Sequence, residues 1–165
     1  MKKLTTLLLM ALMVTGLQAQ INSRLPNVTV RTLDGREINV STLSNDGKPF
    51  VLTFWDLHCR SCIVEHNTLN DLYPDWQDAT GVKIFSVNTD DSRETPNVRP
   101  FVDGRNWEFE FLLDVNKALD RAMNVNGVHP YTFLFDGEGK LVYLHNGFDP
   151  GDENVLYEEI LKLVR

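Results

Sequence analysis

Cysteine is nearly absent from this chain: there are two in 165 residues, Cys59 and Cys62. So small a number excludes a fold stapled by several bridges. One bridge between these two would close a loop of only a few residues, which restricts the unfolded chain little. Reactivity therefore explains the pair better than stability does. Basic residues are also scarce, 16 Lys and Arg against 23 Asp and Glu, for a formal charge of −7. An acidic chain of this kind argues against nucleic acid and anionic membrane surfaces as partners. Repeats and low-complexity tracts are missing. No haem-attachment motif is present, and the residues call for no cofactor. After the first stretch, no apolar run is long enough to span a bilayer.

That first stretch is read as a secretory signal over residues 1–19. Lys2 and Lys3 form a basic region, Leu4 to Leu17 is apolar with few interruptions, and Leu17, Gln18 and Ala19 offer a cleavage site before Gln20. A retained anchor is the alternative, but the run is shorter than the ~20 residues of a spanning helix. Loss of the two lysines takes the formal charge from −7 to −9. Residues 20–165 are expected to form one domain, exported and not stably inserted in a membrane.

Val28 to Arg31 and Glu37 to Val40 alternate as strands about a turn at Asp34 and Gly35, which predicts a hairpin. Phe50 to Trp55 is apolar nearly throughout and reads as a central strand. A helix is predicted from about Cys59 to Tyr73, with Pro74 kinking or ending it. Val82 to Val87 is the next buried strand. A polar loop over Asn88 to Pro100 leads to a short helix near Phe101. Trp107 to Leu113 is extended and Val115 to Met123 helical. Tyr131 to Phe135 and Leu141 to His145 are paired strands about a turn at Asp136 to Lys140. Asp152 is expected to cap a last helix with the stripe Val155, Leu156, Ile160, Leu163 and Val164. This order implies an α/β sandwich with helices on both faces of a mixed sheet.

The strand ending in Trp55 runs straight into the cysteine pair, and a helix follows. Cys59 is thereby placed at a helix N-terminus, where unpaired N–H groups and the helix dipole favour negative charge. A thiolate is the reactive form of cysteine, and such a site lowers the thiol pKa. The pair reads as a dithiol that opens and closes a disulfide, with Cys59 attacking and Cys62, one turn inside, resolving. Arg60, and His58 and His129 if protonated, would favour the Cys59 thiolate. His58 alternatively covers the rim of the site, and His129 is alternatively a packed or solvated residue. His66 and His145 are read as surface residues, and Trp55 as core and site wall.

Taken together, several segments resemble the exported TlpA/ResA-type thiol–disulfide oxidoreductases of thioredoxin-like fold. They are Val51 to Trp55 followed by Cys59 to Cys62, the strand end Ser86, Val87, Asn88, and Val125 to Asp136 with Gly139 and Lys140. The resemblance covers about Leu25 to Arg165. It implies a thioredoxin-like three-layer sandwich, a central mixed β-sheet flanked by helices, with an N-terminal β-hairpin extension. It further implies a cis peptide before Pro130, with His129 to Tyr131 docking an extended partner strand beside Cys59. Glu65 falls where the family carries an acidic residue that influences thiol ionisation and relays protons. A solvated helix glutamate is the plainer reading of that residue. The partners implied are protein thiols and disulfides, both clients and a redox partner. The chain departs from the family in having His58 before the first cysteine, Ser61 before the second, and His129 before the proline.

Three alternatives stand beside this reading. Two thiolates with His58 or His129 could hold copper or zinc, as in a periplasmic metal carrier. A peroxidase of the peroxiredoxin type shares the fold, but Asp56 stands where its motif has Thr or Ser. A binding module without turnover is opposed by the intact cysteines and Pro130.

Overall fold

The computed structural model describes residues 24–164. The segment read as a secretory signal and its cleavage site lie outside them. The strand Phe50–Trp55 (β3) is buried along its whole length, and the rest of the sheet is built around it. β3 pairs in parallel with Lys83–Asn88 (β4) and antiparallel with Tyr131–Phe135 (β6). Glu110–Leu113 (β5) continues beyond β4 in parallel. The hairpin Thr29–Thr32 (β1) and Glu37–Asn39 (β2) closes that edge, and Leu141–Asn146 (β7) closes the other. Seven strands thus run in the order β2-β1-β5-β4-β3-β6-β7.

Side chains on successive strand positions point to opposite faces, and the apolar residues divide accordingly. Val51 and Trp55 of β3, Ile84 of β4 and Leu134 of β6 pack under the helices Arg60–Thr80 (α1), Thr95–Asp103 (α2) and Asp152–Leu163 (α4). Phe50, Leu52, Phe54, Phe85, Val87, Phe133 and Phe135 pack on the other face with Leu119 of the short helix Ala118–Ala122 (α3). Each face is therefore covered by helix, as the order of elements implied.

Several expected boundaries are corrected. α1 runs through Pro74 to Thr80 and ends on the left-handed Gly81. Pro74 lies on the exposed face, while Tyr73, Trp76 and Thr80 are buried. Trp76 stacks on Tyr157 of α4 at 5.0 Å, and the Tyr73 hydroxyl accepts the Ile84 amide. A proline inside a helix costs about 3 kcal/mol, and burying two aromatic side chains at roughly 1.5–3 kcal/mol each offsets it. α2 begins earlier than expected because Pro96 sits in its first turn, where no amide is needed. α3 is shorter than expected: the Asp114 carboxylate accepts the Leu119 and Asp120 amides and sets its start. Gly151, not Asp152, caps α4, whose buried residues are Leu156 and Ile160 while Val155 and Val164 are exposed.

Candidate active site

The turn between β3 and α1 is held by carboxylates. Asp56 accepts the His58 amide at 2.9 Å, and Asp90, beyond β4, accepts the Leu57 amide at 2.9 Å and the Asn88 side chain at 2.7 Å. These bonds place Cys59 at the N-cap of α1. Its sulfur accepts the Cys62 amide at 3.2 Å and lies 3.5 Å from the Ser61 hydroxyl. Cys59 and Cys62 are joined as a disulfide. Cys59 is half-buried, whereas Cys62 is fully buried. The first turn of α1 carries no acidic residue, so no charge there opposes a thiolate at the helix start.

Beneath the disulfide lies a row of polar groups. Thr53, Ser86 and Thr132 occupy matching registers on β3, β4 and β6, all facing α1. Glu65, on the inward face of α1 one turn beyond Cys62, meets two of them. Thr53 donates to its Oε2 at 2.9 Å and Thr132 to its Oε1 at 2.7 Å. Burial pushes this carboxyl up from 4.5 to about 7, against the lowering effect of the two hydroxyls. The solvated reading of Glu65 is thus corrected.

His66 is also corrected, from surface to fully buried. It packs among Trp55, Trp107 and Phe109 with ring centres 4.8–5.6 Å apart. Its Nδ1 lies 2.8 Å from the Cys62 carbonyl, which can only accept, so Nδ1 carries the proton. Nε2 then accepts from the Ser86 hydroxyl at 2.7 Å. Burial lowers its pKa from 6.5 to about 4, which keeps the ring neutral. A histidine on a predicted helix carries no signal of burial in its residue type alone, which is why the sequence reads His66 as a surface residue. The spacing of Cys62, Leu69, Tyr73 and Trp76 nonetheless places 65 and 66 on the same face.

The His129–Pro130 peptide is cis. Nδ1 of His129 donates to Asp56 at 3.0 Å, and its Nε2 lies 3.4 Å from Asp120. The hydrogen bond from His129 holds the Asp56 carboxyl below its ordinary range, although partial burial acts the other way. The segment before Pro130 is thereby tied to the turn that precedes Cys59. His129 faces two carboxylates, and His58 and Arg60 are exposed. His145 is half-buried against Asp152 at 3.0 Å, not a free surface residue. Trp55 is fully buried in the core, as expected. The metal-carrier alternative finds no support. Among the described residues no group of three or more His, Cys, Asp or Glu is arranged to hold an ion.

The comparisons with known proteins agree with this chemistry. A family model described as the AhpC/TSA family matches residues 21–144. The chain is 32% identical to the thiol-disulfide oxidoreductase ResA of Bacillus anthracis over 123 residues, 74% of this chain and 68% of that protein. It is 33% identical to the thiol:disulfide interchange protein DsbE of Yersinia pestis over 149 residues, 89% of this chain and 74% of that one. Among solved structures, a thioredoxin-like protein from Porphyromonas gingivalis superposes with a TM-score of 0.77 at 38% identity, covering 86% of this chain and 92% of that one. The disulfide at the helix tip and the carboxyl buried under it are what these relatives lead one to expect: the chain belongs to the AhpC/TSA family and is a thioredoxin-like thiol–disulfide oxidoreductase related to ResA and DsbE.

Proposed function

We propose that the protein works outside the cytoplasm, exchanging electrons with client proteins through attack by Cys59 and resolution by Cys62. Its substrates as a class are protein thiols and disulfides. The observation that carries the assignment of roles is the asymmetry of the pair: Cys59 is partly open at the helix cap, whereas Cys62 is wholly buried. Attack of the Cys59 thiolate on a partner disulfide forms a mixed disulfide and expels one partner thiolate. The Cys62 thiolate then attacks Cys59, and the second partner thiolate leaves. Glu65 exchanges the proton of the buried thiol, and the segment about Pro130 receives the client chain beside Cys59.

Arg60 and His58 are exposed, where solvent and salt screen them. The helix N-terminus is left as the main support of the thiolate. A stabilised thiolate favours the reduced form, so the potential lies above the about −270 mV of thioredoxin. A value at or below that figure, measured against glutathione, refutes this part.

The leader over residues 1–19 supports export, and no helix in the described residues is long and apolar enough to cross a membrane. Mass spectrometry of the protein from its host should find Gln20 as the first residue. A Cys62→Ser variant expressed there should accumulate mixed disulfides through Cys59, visible on non-reducing gels and identifiable by mass spectrometry. The Cys59→Ser variant should accumulate none. Absence of any adduct on Cys62→Ser overturns the assignment of roles.

A further inference from the structure

Beside Glu65 lies a small, partly open cavity of about 10 Å³, the space about one water molecule needs. Its polar walls are Glu65 of α1, Thr132 of β6, His145 of β7, and Asp152 and Glu153 at the start of α4. Leu69, Tyr143, Phe148 and Leu156 form the rest of its lining. The β6–β7 register sets Thr132 opposite His145. Thr132 reaches Glu65 at 2.7 Å, and His145 Nε2 lies 3.0 Å from Asp152 Oδ2. The Glu65 side chain is 4% exposed, while those of His145 and Asp152 are 36% and 28% exposed. A water in the cavity would have the two or more polar partners that hold one in place. The other neighbour of Glu65 offers no such route, because both ring nitrogens of His66 are already bonded to Cys62 and Ser86.

We propose that the cavity and the His145–Asp152 pair form the proton exit of the active site, loading and unloading Glu65 between exchange steps. The inference rests on the reading of Glu65 as the acid–base group of the dithiol. During resolution Cys62–SH gives its proton to the Glu65 carboxylate. The Cys62 thiolate attacks Cys59, the Cys59–Cys62 bond forms, and the partner leaves as a thiolate carrying the two electrons. Glu65 then returns its proton through the cavity to Asp152 and His145, and so to solvent. In the reverse direction a partner thiolate attacks Cys59, and Glu65 protonates the expelled Cys62 thiolate. Asp152 and His145 touch neither sulfur and act as positioning residues.

The ionisable groups facing Glu65 are His66 on its own helix, Tyr143 and His145 on β7, and Asp152 and Glu153 on α4. The Asp152 charge adds to the upward push on Glu65, so removing it should make Glu65 ionise at lower pH. The test is the rate of disulfide reduction by a small dithiol from pH 5 to 9, with carboxyl carbon NMR following Glu65. Asp152→Asn should move the Glu65 titration and the inflection of the rate profile to lower pH and slow exchange several-fold. His145→Gln, which keeps a donor towards Asp152, should slow exchange without unfolding the protein. Wild-type rate profiles in both variants overturn the exit path. The Glu65→Gln variant separates the two ideas. If it loses the inflection while the other two behave as wild type, only the exit fails; if it too matches wild type, the role of Glu65 fails and the exit with it.

Discussion

Glu65 and His66 are adjacent, both buried and both neutral near pH 6, and their effects on stability oppose each other. The carboxyl titrates at about 7 in the folded protein against an ordinary 4.5. At about 1.36 kcal/mol per pH unit this difference corresponds to about 3 kcal/mol. Between pH 4.5 and 7 the folded chain keeps a proton that the unfolded chain has released. The contribution of Glu65 to stability therefore falls as pH rises through that window. His66 titrates at about 4 against an ordinary 6.5, a difference of similar size. Between those values the unfolded chain holds a proton that the folded chain lacks, so stability falls as pH drops. The two slopes cancel over much of the range from 4.5 to 6.5, and the wild-type curve should be nearly flat there as far as these groups decide it. Glu65→Gln should unmask the histidine: relative to wild type it gains about 3 kcal/mol between pH 4.5 and 7.5. His66→Gln should show the reverse trend: the wild type loses stability through this histidine as pH drops from 6.5 to 4 and the variant does not, so its stability relative to wild type improves towards acid. Urea unfolding of the oxidised protein at constant salt, followed by tryptophan fluorescence, reads both. Curves for Glu65→Gln that stay parallel to wild type across pH 4 to 8 refute a buried carboxyl with a raised pKa.

Two further outcomes follow from the same geometry. Thr132→Val keeps the shape of the side chain but removes the hydroxyl that donates to Glu65 Oε1 at 2.7 Å, so carboxyl NMR should find Glu65 titrating higher than in wild type; an unchanged or lower value contradicts the hydrogen bond. Gly137→Ala would drive a Cβ into the Gly47 carbonyl oxygen. Because backbone must move to admit it, denaturant unfolding should show a loss of about 1–3 kcal/mol, and a stability equal to wild type would refute the close approach.

The site was readable where chemistry and local order coincide. An apolar strand ending at Trp55, a cysteine pair and a helical pattern already imply a thiol at a helix tip, because the dipole and free amides are local properties of the backbone. The identity of the support beneath it was not readable in that way. Thr53, Ser86 and Thr132 look like single polar interruptions in three separate strands. Only strand pairing brings them into one row, facing a helix whose inward side includes Glu65 and His66. The same applies to His129, whose neighbours Asp56 and Asp120 are 73 and 9 residues away in the chain.

The order of elements, the hairpin, the central strand and the reactive pair follow from residue type and spacing, which act over a few residues. Where α1 ends, which of its polar side chains are buried, and where the ionisation of Glu65 and His66 falls follow from packing between distant segments. A proline breaks a helix in isolation, yet Trp76 against Tyr157 carries this one past it. A glutamate is a charged surface residue until a sheet and a second helix take its water away, and burial of that kind exists only in the assembled fold.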